Sequence, residues 1–316
     1  MPREHRLRLL LAFAAVYVLW GSTYLAIRFA IDTVPPFLMA GIRHGVAGVL
    51  IVAWARWRRA AWPSRTEWRN AAVVGTLLLL GGNGGVSWAE QRVPSGLTAL
   101  LVAAVPLWAV TIDWVRPGGV RPGRATILGL VTGFIGVAIL VNPRAGDAAR
   151  VDPVGALVLI VAAISWAAGS IFSRRAKSAS SPLMATGANM LAGSAALLVT
   201  GLLAGDMTRF DPSAVSMRSA LALGYLIVFG SIAGFTAYIW LLRNTSPAKA
   251  TTYAYVNPVV AILLGWALGN EPVTPRILAA ATVIIAGVAM IAWLPAAKGW
   301  LAARRPGHTM ASTRSD

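Results

Sequence analysis

The sequence contains no cysteine and only three histidines. The absence of cysteine excludes disulfides, thiolate metal sites and cysteine nucleophiles. The histidines His5, His44 and His308 lie too far apart in sequence to suggest a metal-binding pattern. No Gly-Lys dipeptide occurs, so a P-loop that would bind ATP is also excluded. We therefore predict no cofactor, no metal ion and no enzymatic activity.

Charged residues are also scarce, at 12% of the chain, while hydrophobic residues make up 57%. A soluble domain has about a quarter charged residues and at most about half apolar ones, so this composition is typical of a membrane protein. Ten apolar stretches approach the length of about 20 residues that crosses roughly 30 Å of hydrocarbon. We expect the first to be retained rather than cleaved as a signal peptide. The predicted spans are 9–27, 37–55, 71–88, 95–114, 124–141, 154–172, 182–203, 220–242, 248–269 and 275–293.

The net charge of +17 arises from 28 Lys and Arg residues, and their distribution argues against nucleic-acid binding. Twenty of them lie at the N-terminus, in alternate loops and in the C-terminal tail, whereas the intervening loops hold seven basic residues matched by seven acids. Loops that remain in the cytoplasm keep positive charge during insertion. We therefore predict a multi-pass protein of the cytoplasmic (inner) membrane with both termini in the cytoplasm and a basic cytoplasmic tail at 294–316.

Four segments of the first half of the chain recur in the second half in the same order. The pairs are "LWGSTYLAIR" (19–28) with "SWAAGSIFSR" (165–174), "LMAGIRHGVAG" (38–48) with "LMATGANMLAG" (183–193), Pro106 with Pro258, and "GFIGVAI" (133–139) with "IIAGVAM" (284–290). Each half holds five spans, and an odd number inserts the second half upside down relative to the first. We predict an all-α membrane protein whose ten transmembrane helices form two inverted five-helix repeats, at 11–141 and 154–293.

Four longer segments carry a family resemblance: "WGSTYLAIRFA", "PPFLMAGIRHGVAG", "VPSGLTALLVAAVPLW" and "FGSIAGFTAYIWLLRNTSPAKATTYAYVNPVVAILLGWALGNEP". The chain from about residue 11 to 293 resembles the EamA-type exporters of the drug/metabolite transporter superfamily. The resemblance implies a ten-helix carrier with two five-helix repeats. It also implies export of amino acids, metabolites or toxic amphiphiles from a central cavity lined by the first, third, fourth, sixth, eighth and ninth helices.

The end of the fourth helix of each repeat differs between the two halves. The second repeat has Glu271 in "LGNEP", whereas the first has "DWVRPGG" at that place. Because the acid is not repeated, we assign Glu271 no catalytic or coupling role.

Polar side chains interrupt the ninth predicted span. At 100° per residue, Tyr255 and Pro258 share one face, and Tyr253 and Asn257 share the opposite face. Polar groups in hydrocarbon are costly unless they face protein or water, so we predict that Tyr253, Tyr255 and Asn257 line a substrate cavity. Pro258 removes a backbone hydrogen bond and is predicted to form a gating kink. The alternative is a packing kink whose tyrosines bond to adjacent helices.

The same argument extends the predicted cavity lining to four other helices. Trp20 and Trp166 correspond by the repeat, and their ring faces would hold cationic or aromatic ligands. Glycines around Asn83 indicate close backbone approach or local unwinding of the third helix. Ordinary helix packing is the alternative for all of these residues. The predicted lining in these helices is Trp20, Tyr24, Asn83, Ser87, Trp166, Ser170, Ser231 and Tyr238.

Arg43, His44 and Glu90 are predicted to be buried polar or charged residues. Arg43 lies well inside a span, and Glu90 or Asp32 is a candidate partner. We favour a structural role instead, in which Arg43 snorkels outward or ties two helices together, because the second repeat has Ala188 at the aligned place. His44 would titrate near neutrality or be an ordinary core histidine. Because Glu90 lies near a span end, no carboxylate carrier for proton antiport is evident, and the energy source stays open.

Pairs of glycines four residues apart occur at Gly41/Gly45, Gly129/Gly133 and Gly230/Gly234. This spacing is typical of close helix packing, either within one chain or across a dimer. A homodimer is therefore left open.

These observations predict a secondary transporter that exports small metabolites, amino acids or amphiphilic drugs by alternating access. Its predicted partners are a small-molecule solute and the lipid bilayer, with no nucleic acid. The alternatives are a nucleotide-sugar or phosphate-ester exchanger, an intramembrane enzyme and a non-transporting scaffold. One buried arginine is little charge for a phosphate, and no cluster of acids or histidines supports an enzyme.

Overall fold

The computed structural model describes residues 3–119, 121–141, 152–179, 181–245 and 252–303. These residues are mostly helical, and no β-strand occurs among them. Ten long helices follow one another, numbered α1 to α10 in chain order. They are α1 Arg3–Ala30, α2 Pro36–Trp57, α3 Arg65–Ala89, α4 Ser95–Val115, α5 Arg124–Val141, α6 Pro153–Ser173, α7 Pro182–Leu203, α8 (the consecutive segments Met217–Tyr225, Leu226–Ala233 and Gly234–Asn244), α9 Tyr253–Gly269 and α10 Pro275–Ala303.

The first eight of these helices are long and apolar enough to cross a membrane, while α9 and the described apolar part of α10 are shorter. In a bilayer every backbone polar group must be satisfied within the protein, and a helix does this along its own length. The chain is an all-α membrane protein with ten transmembrane helices, as the hydropathy pattern predicts. Most of the predicted basic tail, residues 304–316, lies outside the described residues.

Helix starts are set by side chains that accept the free backbone N–H groups of the first turn. Asp152 accepts from Gly155 N at 2.6 Å at the start of α6, and Ser181 accepts from Met184 N at 3.4 Å at the start of α7. A proline follows each cap at a position where its missing N–H costs nothing.

The third helix of each repeat carries a π-helical segment at a corresponding place. Thr76–Gly84 is π-helical within α3, and Leu226–Ala233 is π-helical within α8. A π-helix is wider than an α-helix and offsets the backbone hydrogen bonds by one residue, and such segments are frequent at functional sites. The glycine-rich sequence around Asn83 is therefore helical but not α-helical.

The helix contacts follow the pseudo-symmetry of two inverted repeats. The second helices of the repeats pack together (α2 with α7), and so do the fifth helices (α5 with α10). The first helix of each repeat crosses to the other repeat, since α1 contacts α8 and α9 while α6 contacts α3 and α4. The two repeats thus form one interlocked bundle.

Glycines allow the closest of these helix contacts. A Cβ on Gly287 of α10 would lie 2.4 Å from the backbone nitrogen of Gly133 in α5, and one on Gly41 of α2 would lie 2.6 Å from the side chain of Leu198 in α7. No side chain larger than hydrogen fits at such distances. The contacts at Gly41 and Gly133 confirm helix packing within the chain for two of the glycine pairs; a homodimer stays a prediction.

The two ends of the bundle differ in the burial of α4. The N-terminal face holds the start of α1 and the loop residues 58–64, 116–119, 121–123 and 174–179. The distal face holds the loops at 31–35, 90–94, 204–216 and 270–274. In α4, every residue from Ser95 to Leu101 is buried at the distal face, whereas none from Trp108 to Val115 is buried near the N-terminal face.

Candidate functional site

An aromatic cluster joins α1, α8 and α9. The ring of Trp20 lies 4.8 Å from that of Tyr253, 5.1 Å from that of Tyr238 and 5.3 Å from that of Phe235. Tyr238 and Tyr253 contact each other edge to face, with ring centroids 5.6 Å apart. All four side chains are only partly buried. The structure thus brings together three of the predicted cavity residues, and each of them keeps part of its surface accessible.

Trp20 is positioned by the π-helical segment of α8. Its indole Nε1 donates a hydrogen bond of 3.1 Å to the backbone oxygen of Gly230. Gly234, one turn further on, leaves the space for the indole, because a Cβ there would lie 2.4 Å from Nε1. The Gly230/Gly234 pair therefore accommodates a tryptophan of another helix.

Trp166 has a related position in the other repeat. A Cβ on Gly82 would lie 2.6 Å from Cε3 of Trp166, so the indole of α6 packs on the π-helical segment of α3. Next to it, Ser165 donates from Oγ to the backbone oxygen of Leu77 in that segment at 2.8 Å. Both corresponding tryptophans thus pack on a π-helical segment of the opposite repeat. Ser170, also predicted as lining, donates to the backbone oxygen of Trp166 at 2.7 Å.

Arg43 ties α2 to α8. Its Nε donates to Ser231 Oγ at 3.0 Å, and both side chains are buried. Neither expected acid is its ion-pair partner among the described residues: Asp32 lies 4.0 Å from Arg218 instead, and Glu90 forms no salt bridge there. Arg43 thus joins two helices through a hydroxyl of the other repeat, rather than through Asp32 or Glu90.

The polar residues of α9 face different helices. Tyr253 lies against Trp20 of α1, whereas the hydroxyl of Tyr255 donates to the backbone oxygen of Val288 in α10 at 3.2 Å. Asn257 is buried at the crossing with α1, where its backbone oxygen would lie 3.3 Å from a Cβ on Gly21. The structure thus separates Tyr255 from the aromatic cluster.

Pro258 is also buried, and α9 continues as a helix on both sides of it. The corresponding Pro106 stands just after a turn at residues 103 and 104 that divides α4 into two segments. Corresponding prolines therefore occupy different local structures in the two repeats, while the gating function of Pro258 stays a prediction.

Three further lining candidates occupy the middle and the distal half of the bundle. Tyr24 packs against the main hydrophobic core and lies within electrostatic range of Glu90 and Tyr253. Asn83 is partly buried in the π-helical segment of α3. Ser87 is buried, and its hydroxyl has no hydrogen-bond partner among the described residues.

A second set of polar residues lies around Glu90, at the distal face. Glu90 directly follows the last residue of α3 and is 0% exposed, and neither carboxylate oxygen has a hydrogen-bond partner in the described part of the chain. Arg28 donates from Nη1 to the backbone oxygen of Glu90. His44 is buried beside Arg43, and both of its ring nitrogens lack described partners.

Two carboxylates of the second repeat bind helix starts of the first repeat at the same face. Glu271 accepts from the backbone nitrogens of Ser95 and Gly96 at 2.6 and 2.9 Å, at the start of α4. Asp206, fully buried, accepts from the backbone nitrogens at the start of α2, those of Phe37 and Leu38, at 3.1 and 3.2 Å.

Sequence reasoning found Trp20, Tyr238 and Tyr253 but missed Phe235 and the contacts of both carboxylates; it named Glu271 only to assign it no catalytic or coupling role. Phe235 stands three residues before Tyr238, the helical spacing that would have placed it on the same face. Asp206 and Glu271 each follow the end of a span in a loop with few other acids. That position was the available signal, but their partners are far away in sequence.

Comparison with known proteins gives two matches to the EamA-like transporter family, at residues 7–142 and 153–293. The chain is 40% identical over 281 residues to "Uncharacterized inner membrane transporter YedA" of Escherichia coli (strain K12), covering 89% of each chain. It is 25% identical over 286 residues to "Uncharacterized transporter YvbV" of Bacillus subtilis (strain 168), covering 90% of this chain and 91% of that one. A solved crystal structure that is 23% identical covers 91% of this chain and 98% of its own, with a TM-score of 0.60, and therefore shares the fold.

Proposed function

Because the chain belongs to the EamA-like transporter family and is a multi-pass protein of the cytoplasmic membrane, we propose that it exports small amphiphilic or cationic solutes by alternating access. The family and the relatives support transport of a small-molecule solute. The class of solute, the direction and the mechanism are argued below from the contacts within the bundle.

The aromatic cluster is the observation that carries the proposed class of solute. Trp20, Tyr238 and Tyr253 come from three helices and remain partly exposed within 6 Å of one another. Aromatic ring faces attract cations through their quadrupole, with about 0.5–2 kcal/mol for each favourable contact. The same rings offer apolar area, so a cluster of this kind suits a solute that combines positive charge with an apolar body.

The unequal closure of the two faces supports alternating access. The distal face is closed by contacts between the repeats, including the Asp206 and Glu271 contacts with the starts of α2 and α4. Near the N-terminal face, the end of α4 and the start of α9 are only partly buried. If the two inverted repeats exchanged their conformations, the N-terminal face would close and the distal face would open.

The charge distribution supports the orientation of the two faces, to which the proposed export then gives a direction. Twenty of the 28 Lys and Arg residues lie at the N-terminus, in alternate loops of the sequence or in the tail, so the N-terminal face is assigned to the cytoplasm. Solute then enters the aromatic cluster from the cytoplasm and leaves at the distal face. No catalytic step is part of this proposal, and no group of three His, Asp or Glu residues in the described part of the chain could hold a metal ion.

Uptake of the lipophilic cation tetraphenylphosphonium into proteoliposomes tests the proposal. Trp20→Ala removes the central ring and is expected to raise the half-saturating concentration roughly 2- to 30-fold, the equivalent of about 0.5–2 kcal/mol. Trp266→Ala is the matched control, because Trp266 lies on α9 but is 63% exposed on the outside of the bundle. A wild-type protein that moves neither this cation nor amino acids or sugars would contradict transport. Equal uptake by the two variants would contradict the role of the cluster.

A further inference from the structure

We propose that Glu90 is a proton-binding site and that its protonation is required for the distal face to close. The inference rests on the alternating access proposed above, since it concerns the closed state of one face. It assigns a ligand, the proton, to a residue outside the aromatic cluster.

The first argument is that Glu90 is buried without a described hydrogen bond or salt bridge that would offset the cost of removing a carboxylate from water. A carboxylate taken out of water costs several kcal/mol unless it is paired and hydrogen-bonded. Glu90 is 0% exposed, and neither oxygen has a hydrogen-bond partner among the described residues. It also stands at the C-terminal end of α3, where the helix dipole places partial negative charge. A bound proton removes the charge that this environment opposes.

The second argument is that the nearby donors bind other groups and form no hydrogen bond with the carboxylate oxygens of Glu90 in the described residues. The backbone nitrogens at the start of α4 donate to Glu271. Arg28 donates from Nη1 to the backbone oxygen of Glu90, and Arg43 donates from Nε to Ser231. No salt bridge joins Glu90 to either arginine in the described residues. In the closed distal face the two arginines thus act on Glu90 only at a distance, without a hydrogen bond or salt bridge to its carboxylate in the described residues.

All titratable groups near Glu90 enter the expected pH dependence. Tyr24 and Arg28 face it from α1, Arg43 faces it from α2, and Glu271 faces it from the loop after α9. Glu271 is held by two backbone N–H groups at the start of α4. His44, next to Arg43, is the group whose titration has to be separated from that of Glu90.

Opening of the distal face exposes Glu90 to water, where a carboxyl group titrates near its ordinary pKa of about 4.3. Closing the face then requires uptake of one proton from the solution on the distal side. By linkage, one such proton changes the ratio of open to closed molecules up to about tenfold per pH unit. Rising pH on the distal side therefore favours the open distal face.

Cysteine labelling measures this equilibrium without any transported solute, because the natural chain has no cysteine. Thr98→Cys places a thiol at a position of α4 that is fully buried near the distal face. Ser213→Cys places one in an exposed distal loop and corrects for the rise of thiolate with pH. The measured quantity is the labelling rate of Thr98→Cys divided by that of Ser213→Cys. Both rates are measured with a membrane-impermeant maleimide at about pH 5 to 8.

In the otherwise unchanged protein this ratio is expected to rise about tenfold or more over that range. Glu90→Gln, a neutral mimic of the protonated side chain, is expected to keep the ratio low at every pH, whereas Glu90→Asp and His44→Gln keep the rise. A flat ratio in the parent protein, a rise that persists in Glu90→Gln, or a rise abolished by His44→Gln would overturn the proposal. Thermal unfolding of each variant verifies folding, and proteoliposome uptake tests the transport proposal separately.

Discussion

The substitution Gly234→Ala examines whether the position of Trp20 governs the aromatic cluster. A Cβ at residue 234 would lie 2.4 Å from Nε1 and 2.8 Å from Cδ1 of the indole. Ordinary van der Waals contact begins at 3.4 Å, so the indole or α8 must move by about 1 Å, the difference between 2.4 and 3.4 Å. That movement lengthens the 3.1 Å hydrogen bond from Trp20 to Gly230 beyond its useful range.

The expected magnitude follows from these two changes. Loss of the hydrogen bond costs about 0.5–1.5 kcal/mol, and an added methyl group in a filled space costs about 1–3 kcal/mol. We therefore expect Gly234→Ala to destabilise the protein by about 1.5–4.5 kcal/mol relative to a glycine-to-alanine change without a clash. Gly224→Ala is that control, because it lies in the same helix and a Cβ there meets no atom within 4 Å.

Thermal unfolding in detergent and tetraphenylphosphonium uptake in proteoliposomes provide the assay. Gly234→Ala should unfold several degrees below Gly224→Ala and show weaker uptake. In a Trp20→Ala background the clash is absent, so the further effect of Gly234→Ala should largely disappear. Equal stability and uptake of the two alanine variants, or full additivity with Trp20→Ala, would refute the reasoning.

Two further predictions concern contacts outside the cluster. Tyr255→Phe removes the hydrogen bond to Val288 and should lower stability by about 0.5–1.5 kcal/mol without changing the half-saturating concentration for uptake. A rise in that concentration comparable to that expected for Trp20→Ala would place Tyr255 in the solute path after all. Asp206→Asn weakens the charge-assisted hydrogen bonds from the backbone nitrogens of Phe37 and Leu38 and should lower stability by about 1–3 kcal/mol. Unchanged thermal unfolding would mean that this contact does not stabilise the closed distal face.

The helices were predictable because, in a bilayer, backbone hydrogen bonding has to be satisfied within each crossing segment. Each segment that crosses hydrocarbon has to satisfy its own backbone groups, and only a long apolar helix does so. The ten spans and the repeat therefore follow from hydropathy and motif order. The π-helical segments in α3 and α8 were indicated only indirectly, by the glycines around Asn83.

The directions of individual side chains were less predictable. Helical periodicity correctly placed Tyr253 and Tyr255 on opposite faces of α9, but it did not show that α1 packs on one face and α10 on the other. Likewise, the sequence predicted that Glu90 is buried, but it did not show that both carboxylate oxygens lack a hydrogen-bond partner among the described residues. Burial of this kind depends on residues far away in sequence.

The sequence by itself determined the class of the protein, its ten helices, their duplication and the helical face of each polar residue, because these depend on composition and on periods of a few residues. Only the tertiary structure decided which faces meet. It turned Arg43 toward Ser231, placed Trp20 against Gly230 and Gly234, and enclosed Glu90 without a described partner. Such contacts join residues more than 60 positions apart, and their selection depends on the packing of whole helices rather than on any local pattern.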